Sequence, residues 1–225
     1  MGEAELQPKN NLLIIHAVII IYGDAANDEL AFQIAKDIEE CWNVGEGKVQ
    51  ISDGWFSKKA YNVKFSITGK FDKELIPEII FENTDPRNNY FRIEEFAFGD
   101  ISFVDGLHSN TGYFKLQNIL DNSTTAAHEF GHTLGLEHPH HLDIRGGGTP
   151  GIMYPRGTLV DPHLQYYPEV AAGEKGGTLN PFTRKVLQKD IDDLRLDQLN
   201  YNENNRAIIG AFSSVWHEKH LPETD

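Results

Sequence analysis

The run His128-Glu129-Phe130-Gly131-His132-Thr133-Leu134-Gly135-Leu136-Glu137-His138 places three imidazoles and a carboxylate at spacings that suit a metal ion. On a helix, residues i and i+4 share a face, so His128 and His132 can grip one cation from adjacent turns. Glu129 lies at the edge of that face, where it can reach a water on the cation without ligating. Gly135 tolerates positive φ, so the helix can stop and the chain can swing back, bringing in His138 as a third ligand. Zinc prefers four tetrahedral partners, and catalytic sites keep one position for water. Three imidazoles and one water therefore describe a hydrolytic site, whereas a closed structural site would use four protein ligands. A chance match to all the fixed positions has odds of roughly one in 10⁴. Three imidazoles also accept other divalent ions, so zinc is argued from ligand type alone.

This HExxHxxGxxH string resembles the zinc signature of the metzincin metallopeptidases, glycine turn included. Downstream, Gly151-Ile152-Met153-Tyr154-Pro155 resembles the methionine turn of that clan, with Met153 one of only two methionines. Ile-Met-Tyr-Pro is most similar to the matrixin turn, while His138-Pro139 is more like serralysins. Serralysins carry a tyrosine that can ligate zinc where this chain has Pro155, so no tyrosine ligand is implied and no subfamily is assigned. The close resemblance spans about residues 121 to 157.

The resemblance implies one catalytic Zn²⁺ held by His128, His132 and His138, with Met153 as an apolar floor and Gly135 as the turn. It implies hydrolysis of a polypeptide, with Glu129 as the general base that takes a proton from the attacking water and hands it to the departing amine. No nucleophilic serine is required, and no G-x-S-x-G elbow is present. Arg156, after the methionine turn, would help wall the pocket for the substrate side chain beyond the cut bond, although solvent is its default direction. Substrates in such clefts lie as an extra strand along a sheet edge, here within residues 99 to 117. Two alternatives stand beside the peptidase: an inactive metzincin-like domain that binds proteins, which the intact Glu129 argues against, and a peptidase effector module of a larger protein.

Other residues have plainer readings. His140 and His141 are expected to be exposed, His16 and His108 structural, and Glu137 solvated or supporting a ligand. Tyr166 or Tyr167 could donate to a developing oxyanion, but an ordinary surface role is favoured for both, as for His163. Cys41 is the lone cysteine. It excludes an internal disulfide, and its place in a helix favours a half-buried thiol over a zinc-blocking one.

The elements that must position this site follow from pattern. Forty per cent apolar and eleven per cent aromatic residues in 225 suit one globular domain. Leu12 to Tyr22 is too short to span a membrane; its β-branched content favours a central strand over a signal-peptide core. On that reading the chain is a mature, exported fragment of something longer, or lacks a leader. Ala25 to Trp42 has helical periodicity, with Asp24 or Asn27 as cap and Gly45 and Gly47 as stops. Lys48–Ser52, Asn62–Thr68, Tyr90–Phe98, Ile101–Val104 and Gly112–Gln117 have strand character, and a short helix or an insertion suits residues 72 to 89. Asp121, Asn122 and Ser123 offer caps before the histidine helix.

Residues 139 to 181 have no sustained period, and a loop of that length is usually functional. Asn180-Pro181 starts a helix running to about Arg195, and Ala207 to His217 suggests a last short one. Residues 1 to 10 look polar and loose. The fold class expected is α/β (α+β), a single domain over 1–225. The metzincin resemblance divides it into an upper lobe (1–138) with a twisted mixed sheet and the active-site helix, and an irregular lower lobe (139–225) with a C-terminal helix. The net charge of −14 argues against nucleic acid and anionic membranes, and no membrane insertion is expected. Calcium is a family habit without support here, since no acidic run matches an EF-hand loop. A monomer is expected.

Overall fold

The computed structural model describes residues 1–52, 57–120 and 123–222. Asp121 and Asn122, two of the three expected caps, lie outside the described residues. Eight strands form a curled mixed sheet: β1 (Gly2–Gln7), β2 (Leu12–Tyr22), β3 (Lys48–Ser52), β4 (Lys58–Phe71), β5 (Asn88–Glu94), β6 (Phe103–Val104), β7 (Thr111–Lys115) and β8 (Arg206–Ile209). The main path runs β3-β4-β2-β5-β7-β6, with β1 joining β2 to β8. The β2–β4, β2–β5 and β5–β7 pairs are parallel, while β3, β6, β1 and β8 pair antiparallel. This is the mixed α+β class expected from the sequence.

β2 is central, as its apolar run demands. Leu13, Ile15, Ile19 and Ile21 are fully enclosed, because helix cover on a sheet face makes a strand apolar on that side. The cover is α1 (Asp28–Val44), packed on β2 and β4. The Asn27 side chain accepts from the Leu30 N–H at 2.8 Å and fixes its start, and Gly45 is its C-cap. Trp42, near its end, donates from Nε1 to the Ala127 carbonyl at 3.0 Å and packs on Phe65 and Phe130. Those contacts dock α4 (Thr125–Thr133), the helix that carries the histidines. The other face of β2 is covered by the short α2 (Pro77–Phe81) and the turn before it, through Ile80 and Leu75 against Ile20, Tyr22 and Tyr90. A further turn, α3 (Leu116–Ile119), leads from β7 toward α4.

Four expectations need correction. Residues 1 to 10 are not loose: Gly2 and Ala4 point inward, and the outward Glu3 and Glu5 pair with Arg206 and His16. Two small inward residues are too weak a period-two signal to stand out from their polar neighbours. Residues 207 to 217 form no helix, since Ala207 and Ile209 are buried and Ile208 is exposed, which is the alternation of β8. The helix expected over 181 to 195 is broken. A 3₁₀ turn (Pro181–Thr183) is followed by an extended stretch, and only then α5 (Gln188–Asp193). The break arises because Lys185 bridges to Gly151, so Arg184 and Val186 turn inward. Finally, β5 stops at Glu94, four residues short of the expected end, and a 3₁₀ turn occupies Phe98–Asp100.

Candidate metal centre

α4 presents His128 and His132 one turn apart. Its C-terminus is closed by two backbone bonds: the Gly135 N–H donates to His132 and the Leu136 N–H to Gly131, both at 3.0 Å. Such a closure requires a left-handed residue, and Gly135 has φ +99°. A Cβ there would also lie 2.1 Å from the His108 ring, so only glycine fits. The turn does two things at once. It aims the Leu136 carbonyl at His132 Nδ1, 2.7 Å away, and it returns the chain so that His138 faces α4.

The three rings converge. His138 Nε2 lies 3.0 Å from His128 Nε2 and 3.1 Å from His132 Nε2, and the three candidate donor atoms all lie within 4.8 Å of one another. His128 Nδ1 is 2.8 Å from the Ile152 carbonyl. Because both Nδ1 atoms face carbonyl oxygens, they carry the protons, and the Nε2 atoms of His128 and His132 are left with lone pairs. A proton on His138 Nε2 could serve only one of its two neighbours. Burial lowers the pKa of His128 far below its ordinary value and lowers those of His132 and His138 too, so all three favour the neutral form. Lone pairs crowded on one point call for a cation. Tetrahedral zinc at about 2.0–2.1 Å would hold nitrogens about 3.3 Å apart, within a few tenths of an ångström of the spacing found. The group fits.

The supports are as close. The Ile152 carbonyl that orients His128 belongs to the turn that carries Met153, which is buried beneath α4. A Cβ at Gly131 would lie 2.4 Å from Met153 Sδ, so a glycine between the two helical histidines is what lets the sulfur pack there. Glu129 is buried in the same cleft, and that burial pushes its carboxyl up to about 8. The cleft, about 380 Å³, is bounded by β6 on one side, so the strand exposed at this sheet edge falls within residues 99 to 117.

Other sequence candidates lie elsewhere. His140 and His141 are exposed and outside the histidine cluster. Tyr166 and Tyr167 are exposed and do not line the cleft. Cys41 is half-buried, its thiol pushed by burial up to about 11, which keeps it protonated. Arg156 does line the cleft, from an exposed position.

One residue was not singled out in the sequence: Arg184. It is buried on the cleft floor, donating from Nε to Thr124 Oγ1 at 2.9 Å and from Nη1 to the Tyr154 carbonyl at 3.1 Å. Nη1 also lies 2.9 Å from His128 Nδ1, but it cannot donate there while that nitrogen donates to Ile152. No local pattern announces Arg184, because contacts distant in sequence, among them the Lys185–Gly151 bridge, bring it under the histidines.

Among known proteins, the chain matches no family model, and no curated protein resembles its sequence significantly. What the site can do therefore rests on its own geometry, which offers three close histidines able to bind a metal ion.

Proposed function

We propose that the protein is a zinc-dependent endopeptidase of metzincin type, acting on polypeptides. The observation that carries this reading is the convergence of His128, His132 and His138 Nε2 beside a buried acid, Glu129, in an open cleft. A bound zinc would supply Lewis acidity, sharpening a water nucleophile and polarising the scissile carbonyl. The chain does the rest. Leu136 and Ile152 fix the imidazole tautomers. The Glu129 carboxylate accepts a proton from water and returns it to the leaving amine. Burial raises its proton affinity, and a cation held beside it would favour the carboxylate, so the two effects together suit a group that must both take and give a proton. The β6 edge offers backbone groups to an extended peptide. No helix among the described residues is long and apolar enough to cross a membrane. We infer that the chain works as a monomer without nucleic acid.

Elemental analysis of the purified protein should find one zinc per chain, and a peptide-library digest should show cleavage that a chelator abolishes. Glu129→Ala should retain the zinc and lose about 10²–10⁴-fold in kcat. Cleavage that survives unchanged in zinc-loaded Glu129→Ala would overturn the general-base assignment.

A further inference from the structure

The cleft beside the histidines holds two guanidinium groups with no carboxylate within 4 Å among the described residues, and one more distant acid, Glu129, is the opposing charge that both share. Arg87, Arg92, Arg145 and Arg206 each have a carboxylate within 4 Å, whereas among the described residues Arg156, Arg184 and the exposed Arg195 do not. Acids are not scarce: the chain has 34 against 20 lysines and arginines. Among the described residues the acids lining the cleft are Glu129 and Asp100, and Asp100 is engaged by Lys115 at 2.6 Å. Burying a charge without a close partner is costly; Arg184 is 5% exposed, and the one acid acting on it, Glu129, is shared with Arg156. Metal in the three-histidine site would add further positive charge to the same space.

Arg184 is also held rigidly. Thr124 and Tyr154 occupy Nε and Nη1, and no acceptor in the described protein meets Nη2. Arg156 approaches from the rim, its Nη2 3.4 Å from Asn118 Oδ1, a neutral and weak partner. Fixed guanidinium forks recognise planar anions, carboxylates above all, through paired hydrogen bonds.

We propose that Arg184 and Arg156 bind a carboxylate of the substrate, so that the protein cuts peptide bonds next to an acidic group. This rests on the peptidase reading and names the substrate class for it. The carboxylate could be an Asp or Glu side chain or a free C-terminus. The apolar wall formed by Ile101, Phe103 and Val104 would carry the aliphatic part of the side chain.

The test is a set of quenched fluorescent peptides that differ at the residue following the cut bond (Glu, Gln or Arg), each with a free or amidated C-terminus. The zinc-loaded protein should prefer Glu over Gln by tenfold or more in kcat/KM, and Arg should be poorest. If the free C-terminus is the source, the acid-to-amide ratio will show the tenfold effect and the side chain will not. In Arg156→Gln, an exposed change that should fold, the preference should fall several-fold with zinc content unchanged. Arg184→Gln should abolish it, and Arg184→Lys should restore it in part. Calorimetric binding of the same peptides to zinc-loaded Glu129→Gln reads the preference even where nothing is cut. Efficient cleavage indifferent to charge overturns this inference and leaves the peptidase standing. Absence of cleavage from every peptide counts against the peptidase, and the binding arm then decides the carboxylate site by itself.

Discussion

At the scale of single residues, Glu129 carries the sharpest consequence. Burial raises its folded pKa from 4.5 to about 8. In the unfolded chain the carboxyl ionises near its ordinary value, so between the two values the native state holds a proton that the unfolded state has lost. Stability of the metal-free protein should therefore fall as pH rises from about 4.5 to about 8, and level off beyond. Glu129→Gln mimics the protonated acid. It should match the wild type near pH 4 and exceed it at pH 8, by a few kcal/mol at most given about 1.4 kcal/mol per pKa unit. Denaturant titrations of both apo proteins at the two pH values measure this. An equal gap at pH 4 and pH 8 would show that the carboxyl is not perturbed. At this scale the clustering of the three histidines and the glycine turn at Gly135 were legible, because ligand spacing is a local property of the chain. Arg184 was not, because its place depends on a bridge to residue 151 that no local pattern encodes.

At the scale of elements, the site hangs on how α4 ends. Gly135→Ala puts a side chain at φ +99° and drives it into the His108 ring. It should cost about 1–3 kcal/mol of stability and weaken zinc binding further, because the turn that returns His138 must shift. A competition titration with a chromogenic chelator reads the second effect; unchanged zinc affinity would detach the turn from the site. Long elements with strong periods, β2 and α1, were read from sequence nearly to their bounds. Elements whose partners lie far along the chain were missed. β1 and β8 pair with each other across some two hundred residues, and neither carries enough inward apolar side chains to reveal itself. The mistaken helix over 207 to 217 has the same origin: four residues of alternation were outweighed by the stretch that follows.

At the scale of the whole molecule, a metal at the three histidines would tie α4 to the returning chain and, through Ile152, to the turn above α5. Binding to the native state alone stabilises by mass action, about 2.7 kcal/mol at a hundred times Kd. For a chain of this length that corresponds to roughly 5–10 °C in Tm. Chelation followed by a thermal scan should show a fall of that order, and re-addition of zinc should reverse it. The mixed α+β class was legible from the order of strand and helix patterns. The curl of the sheet and the cationic floor of the cleft were not, since both arise from long-range packing. The central claim is that three imidazoles hold one zinc ion with a position left for solvent. X-ray absorption at the zinc edge tests it most directly, on the loaded wild type and on His138→Ala. The account predicts four light neighbours at about 2.0–2.1 Å, with the scattering of three imidazole rings in the wild type and two in the variant. A wild-type spectrum with fewer than three rings, or with a fourth protein ligand closing the site, would contradict it.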